Sequence, residues 1–144
     1  MKIIIKKNIL DEIFEHAKKA YPQECCGIVL GNRDKGENIT IKEVKETKNL
    51  SQDPLKYQMD PRDFLKVQRY ASSNDLDIVG VYHSHPDHPP IPSKYDIESA
   101  WEDLFYLIVT VKKSKPDKIK SWVFKDSRKK FIETKIEILN NNIE

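Results

Sequence analysis

The chain has 144 residues, 25 basic and 23 acidic, with a net charge of +2. That length predicts one domain, 1–144, able to bury a core without metal or disulfide staples, and the near-balanced charge, with lysines spread along the chain, argues against a nucleic-acid binder. At 38% hydrophobic and 33% charged residues the chain reads as globular, and its first apolar run, Ile3 to Ile5, is too short for a signal peptide or a membrane span.

Met1 to Ile5 is a β-branched run and predicts a short edge strand. Asn8 is a candidate N-cap for a helix reaching about Ala20, because Ile9, Ile13, Phe14 and Ala17 recur at helical spacing. Pro22 ends it. "CCGIVLG", from Cys25, is an apolar run bounded by glycine and predicts a buried strand. Its two cysteines are adjacent, and the ring joining them would be strained. With no other cysteine in the chain, an internal disulfide is excluded and a reducing cytoplasm fits. Cys25 and Cys26 read as small buried residues rather than ligands.

"NITIKEVKETKNL" predicts a second strand, with Gly36 in the turn before it, and "SQDPLKYQMD" a loop. Asp60 followed by Pro61 predicts an N-cap and the first position of a helix reaching Ala71. "LDIVGVYHSH" predicts a buried strand, and a short helix follows from Ser93 to about Trp101. "LFYLIVTV" and "IKSWVF" predict two strands separated by the turn "KSKPDK". The tail "KKFIETKIEIL" alternates like a strand, but its spacing also allows a helix, and both readings stand. Helices and strands thus alternate around one sheet, an α/β (α+β) layered domain.

The chemistry concentrates in "GVYHSHPDHPPIPSKYDIE", Gly80 to Glu98, which holds three of the four histidines. Strand side chains alternate faces, so His83 and His85 point one way and Ser84 the other. Two imidazoles converging from one strand end can share a metal, and Asp96, in the first turn of the next helix, is placed to supply a third ligand. Pro86, Pro89, Pro90 and Pro92 stiffen the connecting loop, which lowers the entropy lost in holding that ligand. Three protein ligands leave a fourth tetrahedral position for water, the pattern of a catalytic zinc site. Water there is deprotonated near neutral pH and becomes a nucleophile. A general base that is not a ligand is also needed, and spacing leaves both Glu24 and Glu98 open. Taken alone, Ser93-x-x-Asp96 reads as a helix cap, and His88 as a solvated loop residue.

H-S-H-P, the seven residues Pro86 to Pro92, and then Ser93-x-x-Asp96 resemble the JAMM motif of the MPN+ metallopeptidases. The "ECCGIVLG" and "YQMDPRDF" stretches are similar to the small stand-alone prokaryotic members, and the resemblance runs from about Ile9 to Phe124. It implies a single curved mixed β-sheet flanked by helices, related to cytidine deaminases. It implies zinc on His83, His85 and Asp96. Glu24 would hold the water and shuttle its proton, and Ser93 would donate to the oxyanion. The implied reaction is hydrolysis of an amide after the C-terminal glycine of a ubiquitin-like or sulfur-carrier protein with a Gly-Gly tail. Nucleic acid and membrane are not expected as partners, and a homodimer stays open. Eukaryotic chain-specific members carry extra substrate-binding segments where this chain has no long insertion between Asp96 and Trp122, which argues against polyubiquitin linkage specificity. Two other classes compete. A metal-free interaction scaffold would have no use for the intact ligand set. A deaminase-like hydrolase needs a C-x-x-C pair downstream of the histidine, whereas Cys25 and Cys26 are adjacent and upstream.

Overall fold

The computed structural model describes residues 1–101, 103–125 and 130–140. In chain order the elements are β1 (Lys2–Lys6), α1 (Lys7–Ala20), β2 (Cys26–Arg33), β3 (Ile39–Thr47), α2 (Pro61–Ser73), β4 (Asp77–Pro86), α3 (Lys94–Glu98), β5 (Phe105–Lys112), β6 (Lys115–Lys125) and β7 (Lys130–Leu139). The strands lie in the order β1-β3-β2-β4-β5-β6-β7, and β1 closes the sheet by pairing with β7. The expected curved mixed sheet is therefore curved far enough to form a barrel. The parallel pairs are β1 with β3, β1 with β7 and β4 with β5; the other neighbours run antiparallel.

The two longer helices cover opposite sides of β2. Ile9, Leu10, Ile13 and Ala17 of α1 join Ile3, Ile5, Val29, Tyr82, Phe105 and Leu107 in the main core. Each large aliphatic side chain buried there contributes about 1.5–3 kcal/mol. Val67 and Ala71 of α2 pack instead on Ile28 and Leu30, the neighbours of Val29 on the other face. Gly27 is required by close approach, since a Cβ there would lie 2.2 Å from the Tyr82 ring.

Several sequence expectations change at the boundaries. β1 is not an edge strand, because it has a neighbour on each side. α1 follows β1 without a break, so Lys6 rather than Asn8 occupies the cap position. Gly36 lies in the turn before β3 as expected, and Glu37 beside it takes the left-handed conformation, with φ of 64°. The turn after β5 is only Lys113 and Ser114, both with positive φ, so Lys115 to Lys118 already belong to β6. α3 stops at Glu98, short of Trp101. The tail is a strand, β7, held between β1 and β6. Asp60 caps α2 as expected, accepting from the Arg62 amide at 2.9 Å. Among the described residues no helix is long and apolar enough to cross a membrane.

Candidate metal and catalytic centre

β4 lies between β2 and β5: His83 is paired on both sides, with Cys26 and Ile108, and His85 with Thr110 of β5. Both imidazoles are fully buried. Their Nε2 atoms are 3.1 Å apart, and Asp96 Oδ2 lies 3.2 Å from one and 3.3 Å from the other. The three atoms form a nearly equilateral triangle. A tetrahedral zinc with ligand distances of about 2.0–2.1 Å has ligand atoms about 3.3–3.4 Å apart, so the triangle fits one face of that tetrahedron. The donor chemistry, two imidazole nitrogens and a carboxylate oxygen, fits as well.

Each of the three side chains is positioned by ordinary secondary structure. Asp96 sits in a capping box: Ser93 Oγ accepts from the Asp96 amide at 3.0 Å, and the Ser93 amide donates to Asp96 Oδ2 at 2.8 Å. Accepting that bond leaves the Ser93 hydroxyl hydrogen available to another group. His85 Nδ1 bonds the Pro89 carbonyl at 2.7 Å. A carbonyl only accepts, so Nδ1 carries a hydrogen and Nε2 is the nitrogen turned toward Asp96 and His83. The indole of Trp122 donates to the Pro90 carbonyl at 3.0 Å and pins the same loop to β6. Asp87, at the start of the loop, accepts from the Tyr21 hydroxyl and the Lys113 amide.

The electrostatics match a metal site. Burial pushes the His83 imidazole toward its neutral form, against the opposing pull of Asp96, and neutral imidazole is the form that binds metal. Burial would raise the Asp96 carboxyl, but His83, His85 and the Ser93 amide outweigh it and hold the group well below the usual carboxylate range.

Glu24 approaches from the N-terminal end of β2. It is only 2% exposed, and one of its carboxylate oxygens lies with the two imidazole nitrogens in a group no more than 4.8 Å across. Its Oε1 is buried and, among the described residues, has no hydrogen-bond partner. Burial, then the charges of Asp96 and Asp53, push the Glu24 carboxyl up to about 8. Glu24, His83 and His85 form one group able to hold a metal, and Asp96, which makes the two short contacts to the histidines, is a further carboxylate at the same point. Glu98, the other acid left open by spacing, is exposed at the end of α3.

Glu24 is fixed through its backbone. The Asn49 side-chain amide donates to the Glu24 carbonyl at 2.8 Å. The Asn49 Oδ1 accepts from the Ser51 and Gln58 amides, each at 2.9 Å, and so ties the 49–59 loop to the same point. Next to Glu24, the Cys25 amide donates to Ser84 Oγ at 2.8 Å, tying β2 to the face of β4 opposite the imidazoles. Cys25 and Cys26 are buried as expected, their thiols pushed up to about 12 and about 11 by burial.

The structure also brings in residues to which spacing assigned no role. Tyr57 stacks on His83, with centroids 4.6 Å apart and planes at 28°. His88 is not simply solvated: its ring is half-buried and stacks on His85 at 4.2 Å and 15°. Tyr57, Phe64, Leu65, Tyr95, Trp101 and Tyr106 line a cavity of about 490 Å³ next to the centre. Two of them, Leu65 and Trp101, are 52% and 62% exposed at the cavity. Asn49 and Trp122 have no local signature in sequence. Tyr57 opens the "YQMDPRDF" stretch, which was the one available signal.

Comparison with known proteins agrees with the motif. Residues 6–125 match the family described as prokaryotic homologues of the JAB domain. A desampylase of Pyrococcus furiosus is 34% identical over 108 residues, covering 74% of this chain and 70% of the relative. The CysO-cysteine peptidase of Mycobacterium tuberculosis is 27% identical over 121 residues, covering 83% and 81%. The solution structure of a protein from Desulfitobacterium hafniense superposes with a TM-score of 0.85 at 31% identity, covering 98% of this chain and 94% of that one.

Proposed function

The chain belongs to the family of prokaryotic homologues of the JAB domain, and on that premise we propose that it is a zinc peptidase cleaving the amide after the C-terminal glycine of a ubiquitin-like or sulfur-carrier protein. The carrying observation is the triangle of His83, His85 and Asp96 with Glu24 beside it, whose Oε1 is buried without a partner among the described residues. A scaffold has no need to bury two imidazoles and two acids together. Residues 1–144 act as one domain in this reading. The buried free thiols fit a cytoplasmic setting, and the named relatives favour a carrier protein with a Gly-Gly tail as partner.

His83, His85 and Asp96 would hold the zinc. When bound, the metal supplies Lewis acidity, lowering the pKa of water and polarising the scissile carbonyl. Glu24 takes the proton from the attacking water. A carboxyl whose proton affinity is raised by burial then returns that proton to the leaving amine, which cannot depart as an anion. The Ser93 hydroxyl donates to the oxygen on which negative charge develops. The amine released is that of a cysteine, a peptide tail or a linked lysine. The cavity beside Tyr57 offers apolar surface to the part of the substrate next to the scissile bond.

The test combines metal analysis with a cleavage assay. Protein purified without chelator should carry about one zinc per chain, and it should cleave a carrier protein extended past its terminal glycine. Chelation should abolish cleavage and zinc should restore it. Protein that takes up no zinc, or cleaves equally well without it, refutes the proposal.

A further inference from the structure

The two histidine ligands are oriented in different ways. The outer torsion of a histidine side chain is soft and broadly distributed, so the strand sets where each ring lies but not its plane. For a ligand the plane matters, because the Nε2 lone pair has to point at the metal. His85 is fixed by the bond from Nδ1 to the Pro89 carbonyl and by the His88 ring on its face. His83 Nδ1 is buried and, among the described residues, has no hydrogen-bond partner. Among the described residues, His83 thus lacks the hydrogen-bond acceptor that usually orients a metal-binding histidine. In its place stands the Tyr57 ring, stacked on His83.

Tyr57 is itself held. Its loop is closed by the Leu50 amide donating to the Gln58 carbonyl at 2.7 Å and by the Asn49 bonds described above. Tyr95 meets its ring edge-on at 6.3 Å and 77°. Burial raises the Tyr57 hydroxyl well above its ordinary pKa, so the ring stays neutral.

We propose that Tyr57 is a positioning residue: its stacked ring holds the imidazole plane of His83 and so sets the metal affinity of the centre. The inference rests on the ligand assignment made above.

The experiment measures zinc affinity by competition with a chromophoric chelator, the visible spectrum of the cobalt(II)-substituted protein, and the melting temperature of the metal-free protein. Wild type is compared with Tyr57→Phe, Tyr57→Trp, Tyr57→Leu and Tyr57→Met. Tyr57→Leu should bind zinc about 10–100-fold more weakly, the usual consequence of losing an outer-shell partner, with altered cobalt bands. Tyr57→Phe and Tyr57→Trp keep a ring and should stay close to wild type. If Tyr57→Leu does not fold, Tyr57→Met supplies the ring-free comparison. Wild-type affinity in a folded ring-free variant overturns the inference, even if that variant melts earlier, because Tyr57 would then be a packing residue only. A loss in Tyr57→Phe as large as in Tyr57→Leu also overturns it, by assigning the effect to the hydroxyl. If the wild type takes up no zinc, the ligand assignment itself fails, and the inference with it.

Discussion

The ligand side and the base side of the centre are built on opposite terms. On the ligand side, Asp96 Oδ2 and His85 Nδ1 each have a partner from the backbone, and the connecting loop is pinned by Trp122. On the base side, Glu24 is tied down only through its carbonyl, and one carboxylate oxygen is buried without a partner among the described residues. A buried polar atom in that state costs about 1–3 kcal/mol. The fold tolerates the cost at Glu24, where a lone pair is needed for proton transfer, and avoids it at Asp96 and His85; His83 Nδ1, buried without a partner among the described residues and covered by the Tyr57 ring, is the exception on the ligand side. Groups that bind a metal benefit from full satisfaction, whereas a group that moves a proton has to keep a site open.

The sharpest way to break this division is to exchange the two kinds of loss. Glu24→Gln should keep its zinc and lose cleavage by about 10²–10⁴-fold, since a proton carrier is removed and no ligand is. His85→Ala should lose both together. Zinc content and turnover measured on the same preparations check this, with exposed Glu98→Gln as the control that stays active. Loss of zinc in Glu24→Gln would put Glu24 on the ligand side.

Ser93 straddles the division, because it caps α3 and also carries the proposed oxyanion donor. Ser93→Ala should lose roughly 1 kcal/mol of stability through the cap and about 100-fold or more in turnover through the oxyanion. Ser93→Asp separates the two. Aspartate caps well but sets a negative charge against the developing oxyanion, so the protein should fold, bind zinc and be inactive. Near-native turnover in Ser93→Asp would leave Ser93 with the cap alone.

The smallest effect is expected at Asn49. Asn49→Ala removes the donor to the Glu24 carbonyl and unties the 49–59 loop. It should lower the melting temperature and reduce turnover by about 10-fold, the equivalent of about 1.4 kcal/mol. Zinc content should be unchanged. A variant that loses zinc instead would show that the two sides share one support.

The sequence made the strand-loop-helix core of the centre legible because it is local. His83, His85, Ser93 and Asp96 lie within fourteen residues, and strand alternation plus a capping pattern places them. Glu24 is distant in sequence and could be chosen over Glu98 only by resemblance; its position beside the histidines follows from the β2–β4 register, which pairs Cys26 with His83. Asn49 had no signal and Tyr57 only the resemblance of its "YQMDPRDF" stretch, because loop geometry carries both and no periodicity marks a loop. The reading of β1 as an edge failed for a similar reason. Barrel closure is a contact between the two ends of the chain, and a five-residue strand contains no record of how many neighbours it will have.

The five-residue length of α3 also bears on how fast the metal comes and goes. The two proposed histidine ligands ride on a strand inside the sheet, His83 paired on both sides and His85 with β5, and such a strand opens only when much of the sheet does. The third rides on little more than one helical turn, too short to persist without its cap and tertiary contacts. On the proposed ligand set, release of the ion would begin with fraying of α3, and its residence time would be set by the Ser93–Asp96 box rather than by the barrel. An enzyme built this way can keep its two histidines aligned through a metal-free interval and reload without refolding.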